Sequence, residues 1–259
     1  MTGKIAVAGA TGRVGRHLVD VLEAGGHEVV RMSRSTGVDV ITKEGLAEAL
    51  TGVEVIVDAA SWGSSDQKEA TEFFETSAPN LQEEGERAGV QRIVVVSIIG
   101  CDRFTSGYIA SKLPHEEAVK AGPLRVQVLR AAQFHELIPL VVEWGRQGDV
   151  SFVQKGRTQP VAARTVAEAL AELATRPDGP PLSEIAGPRE ESFVDLANVL
   201  AARRGDSLRI EGVGFEADHE LYVNGTLLPG PGATLAGPTF EEWLEGASRE
   251  PAATASRSA

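Results

Sequence analysis

Cysteine occurs once in the chain, at Cys101, which excludes an intrachain disulfide and a cysteine-cluster metal site. No apolar run approaches the ~20 residues of a membrane-spanning helix. The first strand begins almost at the N-terminus, and a signal peptide is not expected ahead of it. Together these features lead to the expectation of a cytoplasmic protein. Positive charge is also in short supply. The 25 Lys and Arg stand against 37 Asp and Glu, for a net charge of −12. Such a field repels nucleic acid and anionic membrane, so neither is an expected partner. Aromatic residues make up 5% of the chain and include only 2 tyrosines, so a tyrosine in a motif carries information. No HExxH, Walker or zinc-ligand spacing is present. What remains is 259 residues of ordinary hydrophobic content, 42%, enough for one large α/β domain or a domain with a small lobe.

The segment Lys4 to Arg34 reads as strand, glycine turn, helix and strand. Ile5 to Ala8 is a short apolar run. Gly9, Gly12 and Gly15 follow with Ala10, Thr11, Arg13 and Val14 between them, and Val14, Leu18, Val21 and Leu22 then share one helical face. Gly25-Gly26 ends the helix, and Val29, Val30 and Met32 form the next strand. A glycine turn that opens a helix lets backbone amides approach a pyrophosphate, and the helix dipole favours the anion.

Farther along, Val38 to Ile41 is a strand candidate and Lys43 to Leu50 a brief helix. Val53 to Ala59 and Arg92 to Ser97 are nearly continuous apolar runs, as in strands covered on both faces. Lys68 to Ala88 is helical, with two helices or a kink expected at Pro79. Tyr108 to Ala121 is a helix and Arg125 to Arg130 a strand. This alternation predicts an α/β fold, a doubly wound parallel sheet with its ligand crevice at the carboxyl ends of the strands. Beyond residue 131 the rhythm changes. Helices are expected at Phe134 to Arg146, Thr165 to Ala174 and Ser192 to Arg204, strands at Val150 to Val153 and Leu208 to Val213, and a linker at Pro177 to Pro181. Thr239 and Glu242 match a capping box for a last short helix. The division predicted is a core over 1–131, a small C-terminal lobe over 132–248 partly integrated with it, and a flexible tail over 249–259.

Tyr108 and Lys112 form a YxxxK pair, which a helix carries on one face. An ammonium beside a phenol lowers the phenol's pKa and suits it to move a proton at a substrate oxygen. Ser97 ends the preceding strand and is expected to bond the same oxygen.

With these residues in view the chain resembles the short-chain dehydrogenases/reductases. The matching stretches are GATGRVG at 9–15, VDAAS at 57–61, VVVS at 94–97 and YIASK at 108–112. The run VVVSIIGCDR followed by SKLPHEEAVKAGPLRVQVLRAAQFHE is similar to the atypical NmrA-like NAD(P)H-binding branch. The resemblance implies a Rossmann-type sheet, a nicotinamide dinucleotide held by Gly9, Ala10, Thr11, Gly12, Arg13, Val14 and Gly15, and Ser97, Tyr108 and Lys112 as the catalytic set. Lys112 would also hold the nicotinamide ribose. Two departures from the family pattern stand out. Ala131-Ala132-Gln133-Phe134 replaces the usual Pro-Gly, and the 11 residues from Ser97 to Tyr108 are fewer than usual.

The end of the second strand carries Arg31, Ser33, Arg34 and Ser35, with no acid before Asp39. Acid there selects NAD and arginine NADP. Arg34 is therefore expected to grip a 2′-phosphate, so that NADP(H) is preferred over NAD(H). Asp39 either lies beside the adenine or caps a turn. Ala59, Ala60 and Ser61 border the ribose and nicotinamide, Trp62 joins them or packs its own loop, and Gln133 lies near the carboxamide. His135 reads as a structural histidine before a second acid/base, and Cys101 reads as structural. Arg157 and Arg164 read as surface charge. The function expected is an NADPH-dependent oxidoreductase that reduces a small apolar carbonyl or quinone, as a monomer or homodimer. The alternatives are an NADP(H) redox sensor without catalysis, or an epimerase or dehydratase.

Overall fold

A computed structural model describes residues 3–214 and 217–247. The expected tail at 249–259 lies outside the described residues.

The glycine-turn unit forms as the apolar pattern requires: β1 (Lys4–Ala8), α1 (Gly15–Ala24) and β2 (Glu28–Met32). Leu18, Val19 and Leu22 of α1 are buried, and Val21 packs against them. The stretch from Val38 to Ile41 is turn rather than strand, because the Asp39 carboxylate accepts from the amides of Ile41 (2.7 Å) and Thr42 (3.3 Å) and curls the chain. A single turn of helix, α2 (Leu46–Ala49), leads into β3 (Val53–Asp58). Then α3 (Gln67–Ala88) runs unbroken through Pro79. A proline forfeits one backbone bond, and the buried Phe74, Ala78 and Leu81 on either side of it hold the helix against the sheet.

After β4 (Arg92–Ile98) the helix expected over 108–121 is broken at Ser111 into α4 (Gly107–Ala110) and α5 (Lys112–Lys120). Pro114 supplies the reason: it has no amide for the carbonyl of Ala110, and its ring crowds that carbonyl. Ser111 closes the gap by donating its hydroxyl to Tyr108 O at 2.7 Å. Next come β5 (Arg125–Ala131), α6 (Ile138–Trp144), β6 (Arg146–Gln147), β7 (Val150–Gln154), β8 (Arg157–Thr158) and α7 (Ala163–Thr175). A strand not foreseen, β9 (Leu182–Ala186), follows, then β10 (Glu191–Ser192), α8 (Phe193–Arg204), β11 (Arg209–Val213), α9 (His219–Val223), β12 (Thr234–Leu235) and α10 (Phe240–Ala247). The capping box of α10 forms, with Glu242 accepting from Thr239 N at 2.8 Å.

Seven parallel strands make the main sheet in the order β12-β9-β5-β4-β3-β1-β2. The fold is thus the doubly wound α/β sheet expected. The strand order reverses between β1 and β3, which opens the crevice where such sheets bind ligands. One apolar layer gathers α1 and α7 on one face, and a second gathers α2, α3 and α5 on the other. The chain after residue 131 returns α7, β9 and β12 to this core. The remainder forms a separate apolar cluster around Phe193, Leu196, Leu200, Leu227 and Phe240, with a sheet ordered β11-β7-β6.

Candidate functional site

The crevice is narrow at its glycines. Gly9 has φ +73, and a Cβ there would lie 2.6 Å from Ala59 O and 2.7 Å from Ala60 Cα. A Cβ on Gly15 would lie 2.0 Å from Gly9 O. The turn from Gly9 to Gly15 is therefore pressed against both its own helix start and the end of β3, and only glycine fits at either position.

At the end of β2, Ser33 and Thr36 cap a short 3₁₀ turn, Arg34–Thr36. Arg31 is engaged elsewhere, forked onto Glu23 at 2.8 and 2.9 Å. Arg34 is exposed and forms no ion pair among the described residues. Asp39 is committed to its turn, as above.

The catalytic candidates do not assemble as expected. Ser97 lies on the face of β4 turned to α5 and is buried there. Its hydroxyl stands 3.6 Å from Cys101 Sγ, and it helps hold the Glu116 carboxylate low. The short connection to Tyr108 carries the tyrosine past it. The Tyr108 hydroxyl meets Ser61 Oγ instead, at 2.8 Å. Lys112 does not meet the Tyr108 hydroxyl either. Its ammonium is 6.0 Å from the centroid of the Tyr108 ring and 4.0 Å from that of Phe74, and it donates to Val96 O (3.3 Å) and to His115 Nδ1 (3.2 Å). His115 Nε2 in turn faces Asp58 Oδ2 at 3.0 Å. Asp58, Lys112 and His115 are all buried. Asp58 and His115 were not candidates from the sequence. The signal for them is an acid ending an otherwise apolar strand and a histidine one turn after the motif lysine.

The electrostatics follow from this burial. Burial pushes the Tyr108 phenol above its ordinary value and the nearby Asp58 charge adds to the rise, while the Ser61 hydrogen bond and the Arg13 charge act the other way. The phenol is thus not lowered as the YxxxK pattern suggested, because the ammonium is turned to His115. Burial brings Lys112 down to about 8, opposed chiefly by Asp58. Burial works against the Asp58 carboxylate too, but His115 and Lys112 hold it below the usual range. His115 is lowered by burial and by the Lys112 charge, so it is neutral. Cys101 is pushed up to about 11 by burial and Glu116, an unreactive thiol.

A second buried group lies beside this one. Arg130 forks onto Glu116 (2.8 and 3.1 Å) and reaches Asp102 (2.9 Å), and Glu116 is held down to about 2 against its burial. At the end of β5, Gln133 Oε1 accepts from Thr158 Oγ1 at 2.7 Å, while its buried Nε2 has no partner. His135 donates Nε2 to Pro238 O at 3.0 Å, as a structural histidine does. Trp62 donates to Glu69 at 2.9 Å and packs on Phe73, so it holds its own loop. Arg157 pairs with Glu190 and Arg164 with Glu168 at the surface.

The residues fit a dinucleotide. The glycine turn lets the backbone pack closely at the start of α1, where helix-start amides suit a pyrophosphate, and the buried Gln133 Nε2 is a donor with no partner among the described residues. Among the described residues no cluster of His, Cys, Asp and Glu could hold a metal ion, and no helix is long and apolar enough to cross a membrane.

No curated protein matches the chain. Among solved structures, a short-chain dehydrogenase/reductase superfamily protein from Agrobacterium tumefaciens with bound NAD is 18% identical, with a TM-score of 0.67 over 95% of this chain and 96% of that one. A dTDP-4-dehydrorhamnose reductase from Bacillus anthracis in complex with NADP is 16% identical, with a TM-score of 0.69 over 95% and 98%. An NADPH-dependent quinone oxidoreductase from Escherichia coli is 17% identical, with a TM-score of 0.67 over 95% and 100%. These likenesses agree with the observed sheet in its fold. A family model described as NAD(P)H-binding matches residues 9–177, the glycine cradle through α7. The chain therefore belongs to the NAD(P)H-binding family and has the fold of the short-chain dehydrogenases/reductases.

Proposed function

We propose that the protein is an NADPH-dependent reductase of a small apolar carbonyl or quinone, with Tyr108 as general acid. The observation that carries this reading is the Tyr108 hydroxyl itself. It bonds Ser61 at the carboxyl end of β3, beside the glycine cradle, and its raised pKa keeps the proton on it at neutral pH. The protonated phenol is the form that can give a proton to an oxygen gaining charge. A nicotinamide held in this cradle would supply the hydride for the substrate carbon. Tyr108 gives its proton to the substrate oxygen and becomes phenolate, which solvent then reprotonates. Ser61 orients the phenol and takes the place first assigned to Ser97. The turn from Gly9 to Gly15 holds the pyrophosphate, Ala59 and Ala60 border the ribose, and Gln133 offers Nε2 to the carboxamide oxygen. Arg34, unpaired at the end of β2, selects the 2′-phosphate and so NADPH.

One observation favours a second reading. The Lys112 ammonium is spent on Val96 O, His115 and the Phe74 ring, which suits a sensor that binds NADP(H) without turnover. Steady-state oxidation of NADPH with a panel of carbonyls and quinones separates the two. The reductase reading expects turnover with at least one acceptor. Tight NADPH binding with no turnover across the panel would overturn it in favour of the sensor.

A further inference from the structure

We propose that Asp58 and His115 are positioning residues for Lys112 and for the Ser61–Tyr108 pair: a buried Asp58–His115–Lys112 chain keeps the ammonium charged and fixed beside the tyrosine. The proposal rests on the reductase reading for its catalytic meaning, but its geometry stands without it.

The chain is fully specified by its contacts. Asp58 ends β3 with one oxygen accepting from the amide of Ala60 at 3.0 Å and the other facing His115 Nε2 at 3.0 Å. An ionised carboxylate only accepts, so Nε2 carries the imidazole proton and Nδ1 keeps its lone pair. That lone pair faces Lys112 Nζ at 3.2 Å, and a lysine ammonium only donates. Each link thus fixes the polarity of the next. Stacking on the Phe74 ring at 4.2 Å and 14° sets the plane of the imidazole, and the two hydrogen bonds set which nitrogen faces which partner. The same ring lies under the ammonium at 4.0 Å. Asp58 therefore touches two parts of the site at once. Through Ala60 it holds the backbone next to Ser61, whose hydroxyl carries Tyr108. Through His115 it holds Lys112.

Burial explains why the chain is needed. Lys112 is 4% exposed, and an ammonium so far from water loses its proton unless a counter-charge is near. The ionisable groups that face it are Asp58 from the end of β3, His115 and Glu116 from α5, Cys101 from the loop after β4 and Tyr108 from α4; α3 contributes only the Phe74 ring. Of these, Glu116 is already neutralised by the Arg130 fork, Cys101 is a thiol and His115 is neutral. Asp58 is the one uncompensated anion, and it acts through the imidazole.

The test follows Lys112 in the full chain by the ¹³Cε resonance of labelled lysine, titrated with and without the relevant anion. Asp58→Asn keeps the shape of the side chain and removes its charge. The expected result is a fall of the Lys112 midpoint by about one pH unit or more, roughly a tenfold loss of affinity for the proton. His115→Gln has an amide that can accept from Lys112 and donate to Asp58, and is expected to keep the midpoint near that of the parent. A folded Asp58→Asn protein with an unmoved Lys112 midpoint would overturn the proposal. Should Asp58→Asn fail to fold, the ¹⁵N imidazole shifts of the parent protein decide. His115 is expected to titrate below its ordinary value and to stay in the neutral Nε2–H form there, and protonation near the ordinary value of about 6.5 would sink the idea. Turnover distinguishes this from the reductase reading. If NADPH is oxidised with a quinone acceptor, the alkaline limb of kcat moves to lower pH in Asp58→Asn along with Lys112. If no acceptor is turned over while Lys112 still shifts, the chain stands and the reductase reading falls.

Discussion

A single hydroxyl contact changes the composition of the candidate site. Ser61, on the loop after β3, meets the Tyr108 phenol, whereas Ser97 is drawn into the buried group of Cys101, Glu116 and Arg130. Removing the phenol oxygen with Tyr108→Phe should lower kcat by about 10²-fold or more and leave the NADPH dissociation constant little changed, as read by steady-state rates and fluorescence titration. Ser61→Ala removes one hydrogen bond and should cost about tenfold in kcat, while Ser97→Ala should leave the KM for NADPH unmoved. Arg34→Ala should weaken NADPH by about tenfold or more and leave NADH nearly unaffected if the exposed guanidinium holds the 2′-phosphate as proposed. Equal losses for the two dinucleotides would remove Arg34 from that role.

The short helix that carries Tyr108 is held from two sides rather than by its own length. Gln67 of α3 donates to Thr105 O at 3.3 Å and accepts from Gly107 N at 3.1 Å. From the lobe, Asp218 accepts four hydrogen bonds from Thr105 and Ser106, backbone and side chain, at 2.7 to 3.0 Å. Asp218 adopts φ 57, a conformation costly for a residue with a Cβ, and these bonds offset that cost. One carboxylate thus ties α9 to the N-terminus of α4. Asp218→Ala should reduce stability by about 1–3 kcal/mol in urea unfolding and lower kcat more than it alters NADPH affinity, because the cradle at α1 lies in another part of the crevice. The break at Ser111 belongs to the same scale. YxxxK read as a continuous helix puts phenol and ammonium side by side. Pro114, two residues past Lys112, leaves the Ala110 carbonyl without its usual amide partner, and the ammonium faces His115.

For the molecule as a whole, the tight approach of β1, α1 and β3 and the buried ion group under β4 and β5 set the response to mutation and acid. A methyl at Gly15 would press on the Gly9 carbonyl from 2.0 Å, so Gly15→Ala should cost about 1–3 kcal/mol and weaken NADPH binding together. Glu116 is held at about 2 in the fold against an ordinary 4.5. A depressed carboxylate stabilises the folded state above its ordinary value, and that contribution is lost as pH falls from 4.5 toward 2. Glu116→Gln should therefore lower the urea midpoint at pH 7, and the gap to the parent protein should close across that acid range. A gap that stays constant down to pH 2 would show that the Arg130 fork contributes nothing through ionisation.

The glycine turn, the apolar strands at 53–58 and 92–98 and the amphipathic helices were legible because each rests on a local pattern: a continuous apolar run, period 3.6, or glycine where a Cβ would collide. Those local rules were enough for the parallel sheet, the cradle and the family. β9 escaped because its LSEIA run is short and mixed in polarity, and only the edge of β5 makes it a strand. The Asp39 turn, the Ser61–Tyr108 bond and the Asp58–His115–Lys112 chain join residues through side chains or across up to 57 positions. No periodicity encodes such a meeting. The sequence by itself determined which dinucleotide-binding scaffold the chain builds, since backbone spacing and burial pattern are local properties. Only the tertiary structure decided which serine reaches the tyrosine and where the lysine ammonium points, because those depend on how α3, α4 and α5 pack against the ends of β3 and β4.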